Sequence, residues 1–248
     1  MPGATVLFLG TGDAFCSGGR LHTAFHLTAG GMQALVDCGA TTIAVMRHLK
    51  MDLAALDAIL VSHLHGDHFG GIPFLLLDAC HNVTRSKPLT IAGPAGLKLR
   101  VMDTLGCLYP GAPSVVEERL SLKFVEYKER EPARIGVLQV LPVPVVHPSG
   151  STAYGLRIEA GGRVLAFSGD TAWTPALAEI ARDADLFICE CTFYDTPHPS
   201  HLHYTQLRGA LDELGARRTV LTHLGPEMLQ RLQDVDIHVP EDGDVIEL

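Results

Sequence analysis

Apolar residues along this chain fall in two rhythms. Short runs with few polar interruptions read as buried strands, and runs with apolar positions three and four apart read as helices. The strand pattern covers residues 5–9, 23–29, 32–37, 57–62 and 89–92 in the first part. It returns at 120–127, 134–147, 152–159, 163–168, 185–190, 217–222 and 243–247. Gly30-Gly31 and Gly161-Gly162 mark hairpin turns between neighbouring strands. The helical pattern covers 41–49, 72–79, a stretch opened by Gly93-Pro94 that runs to about Cys107, then 174–183, 204–214 and 226–232. In the 204–214 segment Leu207, Leu211 and Leu214 form one stripe. Residues 108–118, rich in proline and glycine, read as a connection. In each half strands come first and helices are interleaved later. That order suits two sheets packed face to face with helices outside, an α/β (α+β) four-layer αββα sandwich.

Length and composition narrow the picture. A chain of 248 residues fits one large α/β domain or two small ones. Nineteen Lys and Arg against 28 Asp and Glu give a formal charge of −9, which argues against a protein that grips nucleic acid. No apolar run approaches the ~18 residues needed to span a membrane, and the N-terminus lacks the basic region of a signal peptide. Six cysteines without a C-x-x-C pair read as reduced, small core residues, and the expected location is the cytoplasm. Cys189 and Cys191 share one strand face, which puts Glu190 on the other.

The chemistry concentrates in Ser62-His63-Leu64-His65-Gly66-Asp67-His68, at the exit of a buried strand. Imidazoles and carboxylates are the usual ligands of zinc and similar ions. One ion cannot use all four groups in so short a loop, but two can. His63 and His65 alternate and point to one ion, while Asp67 and His68 follow a glycine and reach a second. The pattern is not the single-zinc His-Glu-x-x-His helix. Three further candidates stand at strand exits: His147 after Val143-Pro-Val-Val, Asp170 after Val164-Leu-Ala-Phe-Ser-Gly, and His223 after Val220-Leu-Thr. The loop Gly10–Arg20 lacks the G-x-G-x-x-G spacing of dinucleotide binders. Arg20 reads as a solvated charge or as a rim contact for an anionic substrate.

Ser62-His-Leu-His-Gly-Asp-His68 resembles the signature of the metallo-β-lactamase superfamily. Phe8-Leu-Gly-Thr-Gly-Asp-Ala14 and Val36-Asp-Cys-Gly39 make the chain most similar to the ribonuclease Z-like phosphodiesterases, over nearly its whole length. The resemblance implies one metallo-β-lactamase-like domain over 1–248, with similar halves at roughly 1–130 and 131–248. It implies that His63, His65 and His147 hold one ion, that Asp67, His68 and His223 hold a second, and that Asp170 bridges them. Zinc suits five imidazoles and two carboxylates, with manganese or iron as alternatives. Ions ~3.5–4 Å apart share a water or hydroxide suited to hydrolysis. Asp37 would support the loop from behind. Ile188-Cys-Glu-Cys-Thr192 resembles the segment in which a glutamate orients a catalytic histidine, and His201-Leu-His203-Tyr-Thr205 resembles the segment that supplies it. By its spacing to Thr205, His203 is the better match, so the expected catalytic residues are Asp67, Glu190 and His203. The transfer-RNA-processing members carry a long basic arm between the third histidine and the bridging aspartate. Here two strands fill the interval from His147 to Asp170, and no arm fits. The expected substrate is therefore a small phosphodiester or nucleotide rather than RNA. The alternatives are a lactonase- or thioesterase-type hydrolase acting on carbonyl carbon, or a transfer-RNA-processing ribonuclease Z, which the absent arm disfavours. A homodimer is implied by the resemblance alone.

Overall fold

The computed structural model describes residues 3–82 and 85–248. In the first half lie β1 (Thr5–Gly10), β2 (Ala24–Ala29), β3 (Met32–Val36), β4 (Ala58–Leu60), β5 (Leu89–Gly93) and β6 (Leu122–Glu126). The second half supplies β7 (Ala133–Ile135), β8 (Leu138–Pro144), β9 (Tyr154–Ala160), β10 (Arg163–Phe167), β11 (Leu186–Glu190), β12 (Thr219–Thr222) and β13 (Val245–Glu247). Helices α1 (Thr42–His48), α2 (Gly66–Phe69), α3 (Ile72–His81), α4 (Leu97–Leu108) and α5 (Ala112–Arg119) belong to the first half. Helices α6 (Ala176–Ala181), α7 (Tyr204–Leu214) and α8 (Pro226–Gln230) belong to the second.

The strands form one sheet ordered β13-β1-β2-β3-β4-β5-β6 and another ordered β12-β11-β10-β9-β8-β7. The last strand thus leaves its own half and pairs antiparallel with β1. One core lies between the sheets. Its centre is a relay of aromatic rings, Phe8 on Phe25 at 5.2 Å and Phe25 on Phe167 at 5.1 Å, both edge-to-face. Each such contact adds roughly 0.5–1.5 kcal/mol beyond its buried area. A second core lies beneath α3, α4 and α5, and a third beneath α6, α7 and α8. The layers are therefore helix, sheet, sheet, helix, as the pattern of elements predicts.

Two elements depart from the sequence reading. Residues 112–119 form α5 rather than a loop. Pro113 stands in the first helical turn, where its missing N–H costs nothing, and Val116 is buried. The 134–147 run divides into the hairpin β7–β8, with Ile135 opposite Leu138 and Gly136 at φ +60°. A turn made of Gly-Val carries too little polarity to interrupt an apolar run, which is why the pattern hides it.

Strand direction places the chemistry. Strands β3 to β6 run parallel, and β1 shares their direction because it and β3 each pair antiparallel with β2. In the second sheet β10, β11 and β12 run parallel, and β8 joins them through its antiparallel neighbour β9. The exits of β1, β3 and β4 therefore share one edge, as do those of β8, β10, β11 and β12. Close backbone approach tightens that edge. A Cβ at Gly39 would stand 2.0 Å from the Asp67 carbonyl oxygen. Gly169, at φ +60°, turns the chain against the Tyr154 carbonyl oxygen just before Asp170.

Candidate metal centre

Four of the five histidines of the centre, His63, His68, His147 and His223, are fixed from behind. Asp37 follows β3 in the left-handed region at φ 60°, and its carboxylate is fully buried. It accepts from the Ser62 backbone N–H at 2.7 Å, from Ser62 Oγ at 2.8 Å and from His68 Nδ1 at 2.7 Å. Ser62 Oγ lies 3.1 Å from His63 Nδ1. Because that hydroxyl gives its own hydrogen to Asp37, it accepts from the His63 ring. His147 Nδ1 donates to the Ser200 carbonyl at 2.9 Å, and His223 Nδ1 stands 3.0 Å from Thr192 Oγ1. With Nδ1 carrying the proton, all four rings turn an unprotonated Nε2 inward, as metal ligands require. Asp37→Asn is expected to weaken metal affinity by roughly 10- to 100-fold while leaving the fold intact. Competition against a chelating dye, with circular dichroism alongside, checks it.

The inward atoms converge. His68 Nε2 lies 3.1 Å from Asp67 Oδ2 and 3.4 Å from Asp170 Oδ1. His223 Nε2 lies 3.4 Å from Asp67 Oδ2 and 3.2 Å from Asp170 Oδ2. On the other side His147 Nε2 is 3.0 Å from His65 Nδ1, and both His63 Nε2 and His147 Nε2 are 3.8 Å from Asp170 Oδ2. A tetrahedral ion with bonds of about 2.0–2.1 Å sets its ligand atoms roughly 3.3–3.4 Å apart, and the 3.2–3.4 Å contacts of His68 and His223 with Asp170 match that spacing. His63 Nε2, His68 Nε2 and Asp170 Oδ1 are buried with no hydrogen-bond partner, and the 3.4 Å contact between the last two is not aligned as one. Buried polar atoms left so are costly unless an ion completes them. The four groups Asp67, His68, Asp170 and His223 form one tight cluster, and His63, His65 and His147 form another. The residues present thus fit divalent metal.

Electrostatics agree. Burial would lower the His68 imidazole, but Asp170, Asp67 and Asp37 hold it well above its ordinary range. Burial would likewise lower His223, yet the Asp170 charge and the Asp67 hydrogen bond raise it to about 9. Burial also opposes the Asp170 anion, but His223 and His68 hold that carboxyl well below the usual carboxylate range. On the other side burial lowers His63 and His147, so the positive charge that the carboxylates attract is concentrated on His68 and His223.

Above the cluster Glu190 pairs with His201 rather than with His203. Glu190 ends β11 and is fully buried, on the opposite strand face from Cys189 and Cys191, which pack into the outer core. Its Oε1 meets His201 Nδ1 at 2.9 Å. His203 does not reach Glu190. It caps α7 instead, with Nδ1 2.9 Å from Thr205 Oγ1 and its side chain accepting from the Gln206 N–H. Both histidines precede the helix, and only the bend at 200–203 decides which turns inward. His201 stacks on His223 at 5.4 Å and meets the His147 ring edge at 5.0 Å. Burial would lower its pKa, but the hydrogen bond and charge of Glu190 raise it. Thr192 Oγ1 touches Glu190 Oε2 at 3.1 Å as well as His223, so one hydroxyl joins the two assemblies.

Arg20 is neither solvated nor at the rim. It is 7 % exposed and donates to Thr11 Oγ1, the Pro240 carbonyl and Glu241 Oε1 at 2.7–2.8 Å. It anchors the glycine loop to the chain's last turn. The cavity over the cluster, about 350 Å³, is lined by His65, Asp67, His147, Asp170, His201 and His223 on its floor and by Phe15 and Phe193 among its walls. None of its described lining residues is lysine or arginine. Phe15 and Phe193 are absent from the sequence reading, because a phenylalanine in a loop carries no pattern.

The chain has counterparts among known proteins. The family model for the Anti-Pycsar protein Apyc1 matches residues 4–238. An uncharacterized protein of Mycobacterium tuberculosis is 32% identical over 198 residues, covering 77% of this chain and 70% of its own. A ribonuclease Z of Methanosarcina mazei is 30% identical over 265 residues, covering 88% and 87%. Among solved structures, the metallo-β-lactamase fold protein YhfI from Bacillus subtilis superposes with a TM-score of 0.79 at 22% identity, over 99% of this chain and 100% of its own. The chain belongs to the Anti-Pycsar Apyc1 family, in the ribonuclease Z-like branch of the metallo-β-lactamase-fold hydrolases.

Proposed function

We propose that this protein is a dinuclear metal-dependent phosphodiesterase acting on a small phosphodiester or nucleotide. The observation that carries the reading is the Glu190–His201 pair set directly over the His and Asp cluster. His63, His65 and His147 would hold one divalent ion and Asp67, His68 and His223 a second, with Asp170 shared between them. Zinc suits that set, with manganese or iron as alternatives. Such ions supply Lewis acidity and an activated water at neutral pH. The chain's own part is to orient the cleaved bond and move a proton. His201, held at Nδ1 by Glu190, turns Nε2 toward the cavity and donates a proton to the leaving alkoxide oxygen. A carbonyl substrate with a thiolate leaving group needs no such donor, which favours the phosphodiester over the thioester. The likeness to a ribonuclease Z supports phosphodiester chemistry. RNA fits poorly, because phosphate contacts along a strand need several cations, and the cavity wall offers no lysine or arginine among the described residues. In the interval where RNA-processing relatives carry their arm stand β9, β10 and a Gly161-Gly162 turn.

The test is hydrolysis of bis(p-nitrophenyl) phosphate by protein stripped of metal and then restored with zinc or manganese, with a lactone and a thioester in parallel. Release that returns with metal and is confined to the phosphodiester is expected. Turnover of the lactone or thioester alone would overturn the reading.

A further inference from the structure

One hydroxyl decides whether His223 can hold an ion. His223 Nδ1 stands 3.0 Å from Thr192 Oγ1, and a single hydrogen lies between them. If the hydroxyl donated it, Nδ1 would be the bare nitrogen. Nε2, which faces Asp67 and Asp170, would then carry the proton and be closed to metal. The hydroxyl has two other acceptors. Glu190 Oε2 and the His223 carbonyl oxygen each lie 3.1 Å away. A hydroxyl donates one hydrogen, and the fully buried Glu190 carboxylate is the stronger acceptor. With that hydrogen taken by oxygen, Thr192 Oγ1 meets His223 Nδ1 only as an acceptor.

The same oxygen aims the carboxylate. Glu190 Oε1 is held by the Thr171 N–H and by His201 Nδ1, both at 2.9 Å. Among the described residues, the donors to Oε2 are the Thr192 N–H at 3.3 Å and the Thr192 hydroxyl. The rotamer that allows this is locked. Threonine is stiff at χ1. Its methyl packs on Gly225, where an added Cβ would stand 3.0 Å from Thr192 Cγ2 and 2.6 Å from the Thr192 carbonyl oxygen. That carbonyl accepts from the Gly225 N–H at 3.1 Å. We propose that Thr192 is a positioning residue that couples the second ion to the proton donor. It fixes the His223 tautomer that an ion needs, and through the same hydroxyl it orients the Glu190 carboxylate that holds His201. A change at Glu190 then reaches the ion through Thr192, and the coupling runs equally in reverse. The proposal rests on the phosphodiesterase reading only for the task of His201. The tautomer and the coupling stand on the hydrogen bonds.

The experiment is a double-mutant cycle read by metal affinity, with cobalt(II) as the probe. Metal-stripped protein is titrated against a chelating dye, and the visible spectrum of the bound ion is recorded. Thr192→Val keeps the shape of the side chain and removes the hydroxyl. It is expected to weaken one of the two equivalents by about tenfold or more and to change the spectrum of that ion. Thr192→Ser, which keeps the hydroxyl, is expected to restore both. Glu190→Gln should weaken the same equivalent by roughly twofold or more in the wild type and have no further effect in Thr192→Val. Thr192→Ala repeats the cycle if the valine methyl disturbs packing. Wild-type affinities and spectrum without the hydroxyl would overturn the proposal. So would a Glu190→Gln effect of equal size in both backgrounds, since the carboxylate would then act on the ion by its charge alone. Because these readouts are binding, they separate from turnover. Failure to hydrolyse bis(p-nitrophenyl) phosphate with the cycle intact would sink the phosphodiesterase and leave the coupling standing.

Discussion

Asp170→Asn is expected to reduce metal-dependent hydrolysis roughly a thousandfold or more, a loss of about 4 kcal/mol in transition-state stabilisation. The magnitude follows from where the carboxylate stands. Its two oxygens lie within 3.2–3.8 Å of four imidazoles, His63, His68, His147 and His223, so the carboxylate faces both ligand clusters. An amide of the same shape keeps the packing but loses the negative charge that would offset bound metal, and it would turn an N–H toward the site. The variant should carry less than half the metal of the wild type by elemental analysis. A second readout separates this from general damage. Ligands that bind only the folded state raise its melting temperature by mass action. Chelation should therefore lower the wild-type melting temperature and leave that of Asp170→Asn almost unmoved. If the variant retains two equivalents of metal and full turnover, the shared-ligand role of Asp170 is wrong.

Most of the fold was legible in the chain, for physical reasons. Strands buried on both faces are nearly continuous apolar runs, so β1, β4, β5, β10, β11 and β12 stand out from their neighbours. The candidate ligands were legible because parallel strands leave at a common edge, and a His or Asp just past an apolar run sits there. What pattern cannot carry is the path of a polar loop. His201 and His203 are two apart in a segment with no periodicity, so spacing to Thr205 pointed to His203, whereas the histidine that meets Glu190 is His201. The bend that turns His201 inward depends on contacts distant in sequence, among them the Ser200 carbonyl held by His147. Arg20 was hidden in the same way, since its partners Pro240 and Glu241 lie at the far end of the chain. The Gly-Val turn of β7–β8 and the helix begun by Pro113 show the complementary failure, where local propensity gives way to tertiary burial.

His201→Ala and His203→Ala, two residues apart, are expected to separate by orders of magnitude. For a substrate with an alkoxide leaving group, loss of His201 should lower kcat by roughly 10²–10⁴, the usual contribution of a positioned acid. The same change should matter little for bis(p-nitrophenyl) phosphate, because p-nitrophenolate departs without a proton. That contrast between leaving groups is what a merely structural role would not produce. Glu190→Gln should follow His201→Ala in pattern but more weakly, since the amide keeps a hydrogen bond to the ring while losing the charge that holds its proton. His203→Ala should leave the leaving-group dependence as it is in the wild type. Its cost is structural, about 1 kcal/mol from the lost cap of α7, seen as a lower melting temperature. Parallel kinetics on the two substrates, with thermal melts of all three variants, decide the matter. Were His203→Ala to show the leaving-group dependence and His201→Ala not, the acid would have to reach the cavity by a rearrangement of the 198–203 loop.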